Sequence, residues 1–437
     1  MLEMDPIDIS SLSQPSYIGS VQKLYYLAQS SELMVCETTA GGSVFDVGTI
    51  FHIEGSDLCR TVLRHKVYTL LKSPQAWQAI LEDAKMNEAL EKADASDLID
   101  AFATSGAATH HIGILDAQTG TVHSDTFPQH PSNFVLVKRY PILKPESLIY
   151  RGRQLWDYSL FYKAENFVVP LENIVRFGTT PGSSIYLKFL KCAEDAKSAY
   201  LKKLGLDMPM EPWTLFNCPT IDHTTKHEPE DRNLSPQEAL HISGCDRNDF
   251  VHLTKMSMLG SLIVLKFFQK LNLQLWDLKW EIAKCGEDLV FVDTLDTDSM
   301  RVTTQVNWEG QSYHVHFNKQ AMRDYYKMIH PLWYAALNKA KTEAKEKGVN
   351  FQDYFKKGQA RGLYPDTPEV HDRFLAIQSR KFKALLHYTL EDVSLDITQK
   401  EIHGIAQEEI EFYARSGTFE QFKQFNQVPL SSYTNYH

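Results

Sequence analysis

The sequence lacks the marks of several protein classes. Its six cysteines are scattered and no Cys-x-x-Cys pair occurs, so the pattern predicts reduced thiols rather than a disulfide framework or a zinc site. The longest strongly apolar run, residues 256–265, has ten residues, whereas a helix needs about 20 to cross a bilayer. The N-terminus, MLEMDPIDISS, is acidic and polar, unlike a secretory signal. We therefore expect a cytoplasmic protein with no membrane partner.

An excess of positive charge is also absent. The chain has 45 Lys and Arg against 55 Asp and Glu, giving a net charge of -10. Binding a nucleic-acid polymer requires a basic surface, so we expect no such partner, while a local basic pocket for one small anion stays open. No GxGxxG, Walker A, GxSxG or HExxH pattern occurs, which leaves dinucleotide-binding, P-loop, hydrolase and zincin functions unsupported. The sequence does not decide whether the chain forms a homo-oligomer.

The composition that is present is that of an ordinary globular protein. Hydrophobic residues make up 43% of the chain and charged residues 23%, and 437 residues are enough for two or three domains. The first third reads mainly as strands, and the remainder is richer in helices. We predict domains at residues 1–167, 168–349 and 350–437, the last consisting of a linker at 350–367 followed by an amphipathic helical tail.

Local patterns predict individual elements within these domains. Alternating and β-branched runs predict strands at 21–27, 33–36, 44–50, 134–140, 168–177, 273–282 and 288–293. Helical periodicity and propensity predict helices at 57–71, 77–102 and 249–271. Ser235-Pro236-Gln237-Glu238 is typical of a helix start, because the serine can cap and the glutamate can reach back to it.

The stretch Trp276-Asp277-Leu278-Lys279-Trp280-Glu281-Ile282 carries the most chemistry. On a strand, Asp277, Lys279 and Glu281 share one face, and the next strand brings Asp293 roughly opposite Glu281. Two carboxylates and a lysine on neighbouring strands could hold a magnesium ion against a polyphosphate. The alternative is a hairpin with one solvated charged face.

Two further regions could bind anions. A strand that ends in Arg176 leads into a loop of small residues that includes Ser183, which suits a phosphate; an ordinary strand and turn is the alternative. Lys319 and Arg323 lie four residues apart and would share a helix face, as a second anion site or as a solvated turn. Lys226 lies in a polar loop whose sequence by itself predicts no function.

Taken in order, these stretches resemble the SAICAR synthetase family, the phosphoribosylaminoimidazole-succinocarboxamide synthases of purine biosynthesis. Asp277-x-Lys279-Trp280-Glu281 resembles a D-x-K-x-E signature, and residues 170–176 resemble a P-x-E-x-V-V-R signature that runs on to Gly-Ser. Weaker matches follow at residues 19–25, 43–47, 224–233, 293–301 and 317–324. The resemblance runs from about residue 18 to about residue 390.

This resemblance implies a fold and a reaction. The fold is α+β and two-lobed, with a mostly antiparallel N-terminal lobe and a mixed α/β C-terminal lobe that clamp ATP between them, followed here by a C-terminal helical extension. The reaction is an ATP- and magnesium-dependent ligation. A substrate carboxylate takes the γ-phosphate of ATP to become an acyl phosphate, and an amine displaces the phosphate to give an amide. In the family the carboxylate belongs to carboxyaminoimidazole ribonucleotide and the amine to aspartate.

The resemblance also implies roles for individual side chains. Phosphoryl transfer is catalysed mainly by positioning and charge neutralisation, which would fall to three catalytic residues, Asp277, Lys279 and Glu281. Magnesium would be held by Glu281 and Asp293. ATP would lie against the opening hairpin and the adenine hinge, at Gly19, Ser20, Gln22, Lys23, Lys163, Glu165, Glu281 and Asp293. The substrates would contact Arg176, Ser183, Lys226, Arg301, Lys319 and Arg323.

The chain departs from the family pattern at several of these positions. Ser20 and Gln22 replace two basic residues, and Thr294 replaces an acid. Met300 replaces a serine, and the loop from Arg176 to Ser183 is one residue longer. These changes leave open a ligase acting on another carboxylate, as in natural-product or modified-nucleoside synthesis. A non-catalytic nucleotide-binding homologue and a small-molecule kinase are further alternatives.

Overall fold

A computed structural model describes residues 5–12, 14–92, 94–206 and 210–429. Residues 1–4 and 430–437, at the ends of the first and third predicted domains, lie outside this range. The strands are β1 Tyr17–Ile18, β2 Gln22–Leu27, β3 Ser30–Thr38, β4 Gly41–Ser43, β5 Thr49–His52, β6 His111–Asp116, β7 Val122–His123, β8 Pro131–Lys138, β9 Glu146–Tyr150, β10 Arg153–Asp157, β11 Asn166–Val168, β12 Leu171–Thr179, β13 Thr214–Thr225, β14 Asn233–Leu234, β15 Gln274–Cys285, β16 Asp288–Val292, β17 Met300–Trp308 and β18 Gln311–His316.

The α-helices follow the same chain order. They are α1 Ser56–Lys72, α2 Pro74–Leu81, α3 Ala84–Lys92, α4 Ser96–Ser105, α5 Ser184–Lys191, α6 Glu194–Lys203, α7 Pro236–Ile242, α8 Arg247–Gln269, α9 Gln320–Ile329, α10 Pro331–Glu346, α11 Phe351–Ala360, α12 Asp372–Thr389, α13 Leu395–Arg415 and α14 Phe419–Asn426. Ser235 caps α7 through the reciprocal hydrogen bonds with Glu238 that the sequence predicted.

Two antiparallel sheets form the two lobes. The N-terminal sheet has six strands in the order β1-β2-β3-β8-β6-β7. The C-terminal sheet has the order β14-β13-β12-β15-β17-β18, and β11 and β16 also pair with β15. The predicted boundary at 167/168 falls within β11, which pairs with β15 in register Phe167 to Lys284.

Strand β15 is the centre of the C-terminal lobe. Its first half pairs with β12 and β17, and its second half, from Glu281 onward, pairs with β16. Behind it packs α8, where the Trp280 indole donates a 2.8 Å hydrogen bond to Ser261. A Cβ at Gly260 would come within 3.0 Å of Trp280, so glycine permits this close helix–strand contact.

By length and composition alone, helix α8 is long and apolar enough to cross a membrane. However, 72% of its apolar window is buried inside the protein. Leu259 and Val264 on this helix are fully buried. A central core helix meets the same criteria, because it is apolar all round.

The two lobes share one hydrophobic core. A single buried cluster extends from Cys36 in the N-terminal sheet to Phe422 in α14. The lobes also meet through backbone hydrogen bonds, in which His110 donates to Phe291 and Phe291 donates to Ala108, at 2.9 and 3.0 Å.

The predicted linker at 350–367 is wrong over most of its length, because α11 occupies residues 351–360. Asn350 caps this helix through the Asp353 amide, and Phe355 is buried. The last helices form no peripheral tail either. Ile405 and Ile410 of α13 are fully buried in the shared core, so these helices complete the globular fold.

Two other expectations of secondary structure fail for local reasons. Residues 44–48 form no strand, because Phe45 and Asp46 adopt φ values of 60° and 61°, a left-handed conformation that no strand contains. The helix predicted at 77–102 is three helices, α2, α3 and α4. Asp94, with φ of 51°, lies between α3 and α4, where the left-handed conformation interrupts the helix.

Candidate functional site

Alternation along β15 places the charged side chains of Asp277, Lys279 and Glu281 on one face. Leu278, Trp280 and Ile282 are 1%, 1% and 0% exposed on the other. Glu281 lies where β15 leaves β12 and β17 and begins to pair with β16. The site therefore lies at the branch point of the C-terminal sheet.

Glu281 and Asp293 meet at this branch point. Val292 is the register partner of Glu281, and Asp293 follows with φ of 70°, close enough for the two carboxyl groups to share a hydrogen bond. The Tyr68 hydroxyl donates to the Asp293 carbonyl oxygen at 2.8 Å. The tight turn at Asp293 is thus held from behind by α1.

Two lysines balance this carboxylate pair. Lys226 forms an ion pair with Glu281. The Lys279 ammonium lies 2.6 Å from Glu172 Oε1 and 3.3 Å from Glu281 Oε1. Burial acts to lower the pKa of Lys279, but the Glu281 and Glu172 carboxylates outweigh it and leave that pKa above its usual value. Lys279 is therefore a fixed positive charge rather than a proton acceptor.

The two carboxylates differ in proton affinity. Burial, reinforced by Asp293, raises the pKa of Glu281 above its usual value. For Asp293, burial acts in the same direction, but Lys226 and Lys279 overcome it and lower the pKa. A proton held by the pair therefore belongs mainly to Glu281.

This donor set fits a magnesium ion that is shared with a ligand. Magnesium is commonly bound by one or two carboxylates together with substrate phosphates and water, and Glu281 and Asp293 supply two. Within the described ranges, no group of three or more His, Cys, Asp or Glu side chains is arranged to hold a metal ion. The remaining ligands would therefore come from phosphate or water.

A second network surrounds Asp277, which pairs in register with Arg176 on β12 and with Arg301 on β17. Arg176 is 2% exposed. It donates to Asp222 at 2.6 Å and to Asp277 at 3.1 Å, whereas its contact with Ser183 is 3.5 Å. Arg301 also donates to Asp277. The charge of Arg176 is thus already balanced by carboxylates in this structure.

A third group of charges lies at the start of α9. Burial lowers the pKa of Lys319, and burial together with the nearby Arg301 lowers that of Arg323. Lys319 lines a cavity with Arg60 and Asp298. Half-buried cations whose pKa values are lowered bind an anion favourably, because the anion restores the lost charge balance. Lys319 and Arg323 are each only partly exposed, so neither lies in a fully solvated turn.

The residues predicted to contact ATP are only partly brought together. The Gln22 amide donates to the Thr294 hydroxyl, beside Asp293. Lys23 lies on the other face of β2 and pairs with Glu37 at 2.9 Å. Of the other predicted residues, Gly19 and Ser20 lie in the turn between β1 and β2, and Lys163 and Glu165 lie in the exposed stretch before β11.

Sequence reasoning missed the residues that support the 293–301 segment from α1. Arg60 donates to Asp296 at 3.0 Å and lies 3.4 Å from Asp298, and Tyr68, eight residues later, holds Asp293. The available signal was a pair of arginines four residues apart, Arg60 and Arg64, among the apolar residues Val62, Leu63 and Val67 of α1. Arginines are rarely buried without a partner.

Comparisons with known proteins agree with the sequence motifs. Residues 142–340 match the family model described as SAICAR synthetase. A protein of Archaeoglobus fulgidus, provisionally named phosphoribosylaminoimidazole-succinocarboxamide synthase, is 28% identical over 239 residues. That match covers 54% of this chain, and the chain spans 65% of the length of this curated relative.

Solved structures share the fold. A SAICAR synthase structure superposes with a TM-score of 0.51 at 13% identity, and the SAICAR synthase of Saccharomyces cerevisiae in complex with SAICAR with 0.50 at 14%. Each alignment covers 89% of this chain and 97% of the other. The two-lobed α+β fold expected from the sequence is thereby confirmed. The family match over residues 142–340 and the curated relative show that the chain is similar to SAICAR synthetases in sequence, and the solved structures show that it shares their fold.

Proposed function

We propose that this chain is an ATP- and magnesium-dependent ligase that joins a carboxylate to an amine, working in the cytoplasm. The observation that carries the proposal is the convergence of Glu281 and Asp293 from adjacent strands, with Lys226 and Lys279 bound against them. Paired acids balanced by fixed cations suit a site that must accept a metal–triphosphate and then stabilise a moving phosphoryl group.

The side chains would divide the work as follows. A bound magnesium ion would neutralise and orient the phosphates of ATP. Glu281 would exchange its ion pair with Lys226 for the metal, which frees the Lys226 ammonium for a phosphate. Lys279 would stay protonated between Glu172 and Glu281 and stabilise charge that develops on the transferred group.

The acceptor would lie toward β17 and α9. Arg301, Lys319 and Arg323 are cations on that side, and Asp298 is the acid within the same cavity wall as Lys319. Cations can orient the carboxylate that is activated, and an acid can orient the ammonium group of the amine. This arrangement supports the family's pair of substrates, carboxyaminoimidazole ribonucleotide and aspartate, in the purine pathway.

A second candidate is a ligase with another carboxylate substrate. Arg176, which the family resemblance assigns to a substrate phosphate, is saturated by Asp222 and Asp277. A phosphate could bind it only by displacing a buried ion pair, which is costly. A carboxylate substrate that carries no phosphate would bind without displacing this ion pair.

The test is release of inorganic phosphate from ATP and magnesium, measured with and without candidate substrates. Release that requires both carboxyaminoimidazole ribonucleotide and aspartate supports the purine ligase. Release with a different carboxylate and amine, with product masses read in parallel, supports the second candidate. A stable phosphorylated product identifies a kinase. ATP binding without turnover across the screen contradicts the ligase proposal.

A further inference from the structure

The hairpin of β9 and β10 projects from the protein without support on one face. Every residue of β9 is exposed, and four of the five residues of β10 are exposed. Three of its five register pairs, Glu146 with Asp157, Leu148 with Leu155 and Tyr150 with Arg153, lie on one face. An isolated two-stranded hairpin is marginally stable in water, so this one gains from a partner.

The two faces of the hairpin differ. On one face, Trp156 is only partly exposed and packs against the shared core, while Ile149 on the same face, nearer the tip, is 70% exposed. The opposite face carries Leu148 and Leu155, which are 52% and 47% exposed and face each other across the two strands. This outer face is a small apolar patch open to solvent.

The charges of the hairpin are separated along its length. The acids Glu146 and Asp157 are paired directly with each other at the base, and like charges in that position are destabilising. The cations Arg151 and Arg153 lie at the tip. Among the described residues, Arg151, Arg153 and Glu146 form no ion pair within 4.0 Å. The outer face therefore runs from acidic to apolar to basic.

We propose that the outer face binds the same face of a second copy of this chain. When two such hairpins lie antiparallel about a two-fold axis near Leu148 and Leu155, the basic tip of each meets the acidic base of the other, and the apolar centres meet. A two-fold interface is self-complementary by necessity, and this face has that property. The pairing relieves the repulsion at the base and covers the exposed leucines.

The expected dimer is weak. Two five-residue strands measure on the order of 17 Å by 10 Å, far less than the ~800 Å² per partner of a typical stable complex. The association should therefore be reversible and depend on concentration. The proposal is independent of catalytic activity, so its outcome does not bear on the ligase.

The first test is sedimentation velocity of the full chain at about 1 μM and about 100 μM, together with single-residue variants. We expect the parent to shift from monomer toward dimer as concentration rises, and Leu148→Asp to abolish the shift. Ile149→Asp is the matched control, because Ile149 lies on the opposite face and is 70% exposed. It should dimerise like the parent. A parent that stays monomeric at both concentrations overturns the proposal, as does equal loss in both variants.

The charge arrangement has its own test. A tip variant, Arg151→Glu with Arg153→Glu, and a base variant, Glu146→Lys with Asp157→Lys, should each be monomeric at about 100 μM. An equimolar mixture should recover dimer, because each variant's reversed end now complements the other's. Circular dichroism checks that each variant is folded. Unchanged dimerisation of the separate variants, or a mixture of folded variants that stays monomeric, contradicts the antiparallel arrangement.

Discussion

Gln22 and Thr294 are 272 residues apart in sequence and in contact through a side-chain hydrogen bond between the two lobes. Both are positions at which the chain departs from the family pattern, in which a base and an acid occupy them. In this structure the two departures meet, because a neutral donor, the Gln22 amide, faces a neutral acceptor, the Thr294 hydroxyl. The hairpin of β1 and β2 is thus still tied to the segment that carries Asp293.

Restoring the charges should reveal this coupling. Thr294→Glu alone adds a carboxylate beside Glu281 and Asp293 and should destabilise the chain. Gln22→Lys combined with it should recover a favourable interaction of ~0.5–1 kcal/mol. The measurement is a double-mutant cycle in urea unfolding. Lys23→Gln is the control, because Lys23 is on the other face of β2, and it should show no coupling to Thr294→Glu.

Glu281→Gln should weaken metal binding and leave the fold intact. The amide is similar in size, and the lost ion pair with Lys226 is offset by the relief of repulsion from Asp293, so the free energy of unfolding should change by only about 1 kcal/mol. Binding of Mn²⁺ as a substitute for magnesium should weaken at least about tenfold. Any ligase turnover should fall about 100-fold or more, since metal stabilisation of phosphoryl transfer is worth several kcal/mol.

The control for this variant is Glu172→Gln. Glu172 contacts the same Lys279 at 2.6 Å, but it lies on β12, whereas Asp293 follows β16. It should lose far less Mn²⁺ affinity than Glu281→Gln. Unchanged Mn²⁺ binding in Glu281→Gln would refute the metal site, and insoluble protein with full specific activity in the soluble remainder would refute the catalytic role.

The sequence predicts the strand face well and its long-range partners poorly. Alternation alone places Asp277, Lys279 and Glu281 together, because a strand has a period of two. The hydrogen-bond partners of Arg176, Asp222 and Asp277, are 46 and 101 residues away in sequence. Because of this distance, no local pattern predicts that both would bind its guanidinium. The local sequence around an arginine at the end of a predicted strand does not distinguish an arginine that is free to bind a ligand from one that is buried in an ion pair.

The sequence also showed no sign of residues with left-handed backbone conformations. Val44 to Ile50 reads as a β-branched run, yet Phe45 and Asp46 adopt left-handed φ values. Phe45 instead packs against Tyr334 of α10, with 5.1 Å between ring centroids. That contact comes from a helix almost 300 residues later, so tertiary packing overrode local propensity here.

Arg176→Lys and Arg301→Lys should differ sharply in stability although both arginines contact Asp277. Arg176 is buried and makes three hydrogen bonds to two carboxylates. A lysine cannot reproduce this geometry, so the loss should approach the ~3–5 kcal/mol of a broken buried ion pair. The Arg301 side chain is 19% exposed, and its replacement should cost about 1 kcal/mol. Urea unfolding at one pH distinguishes them, and equal losses would show that Asp277 rather than Arg176 governs the network.

Acid destabilisation should depend measurably on His314. Burial lowers the pKa of His314 from 6.5 to about 3, and its ring stacks on Trp213 at 4.3 Å between centroids. Below pH 6.5 the unfolded chain binds a proton at this position and the folded chain does not, so stability falls as pH falls through the window from 6.5 to 3. The slope from one such group is up to about 1.4 kcal/mol per pH unit. Urea unfolding of His314→Gln at pH 7, 6 and 5 should show a pH slope of stability that is smaller than the parent's by up to one proton, so the difference in stability from the parent should narrow as the pH falls. His387→Gln, whose side chain is half-exposed, should keep the parent's slope, and a His314→Gln slope equal to the parent's would show that His314 does not stay neutral in the folded chain.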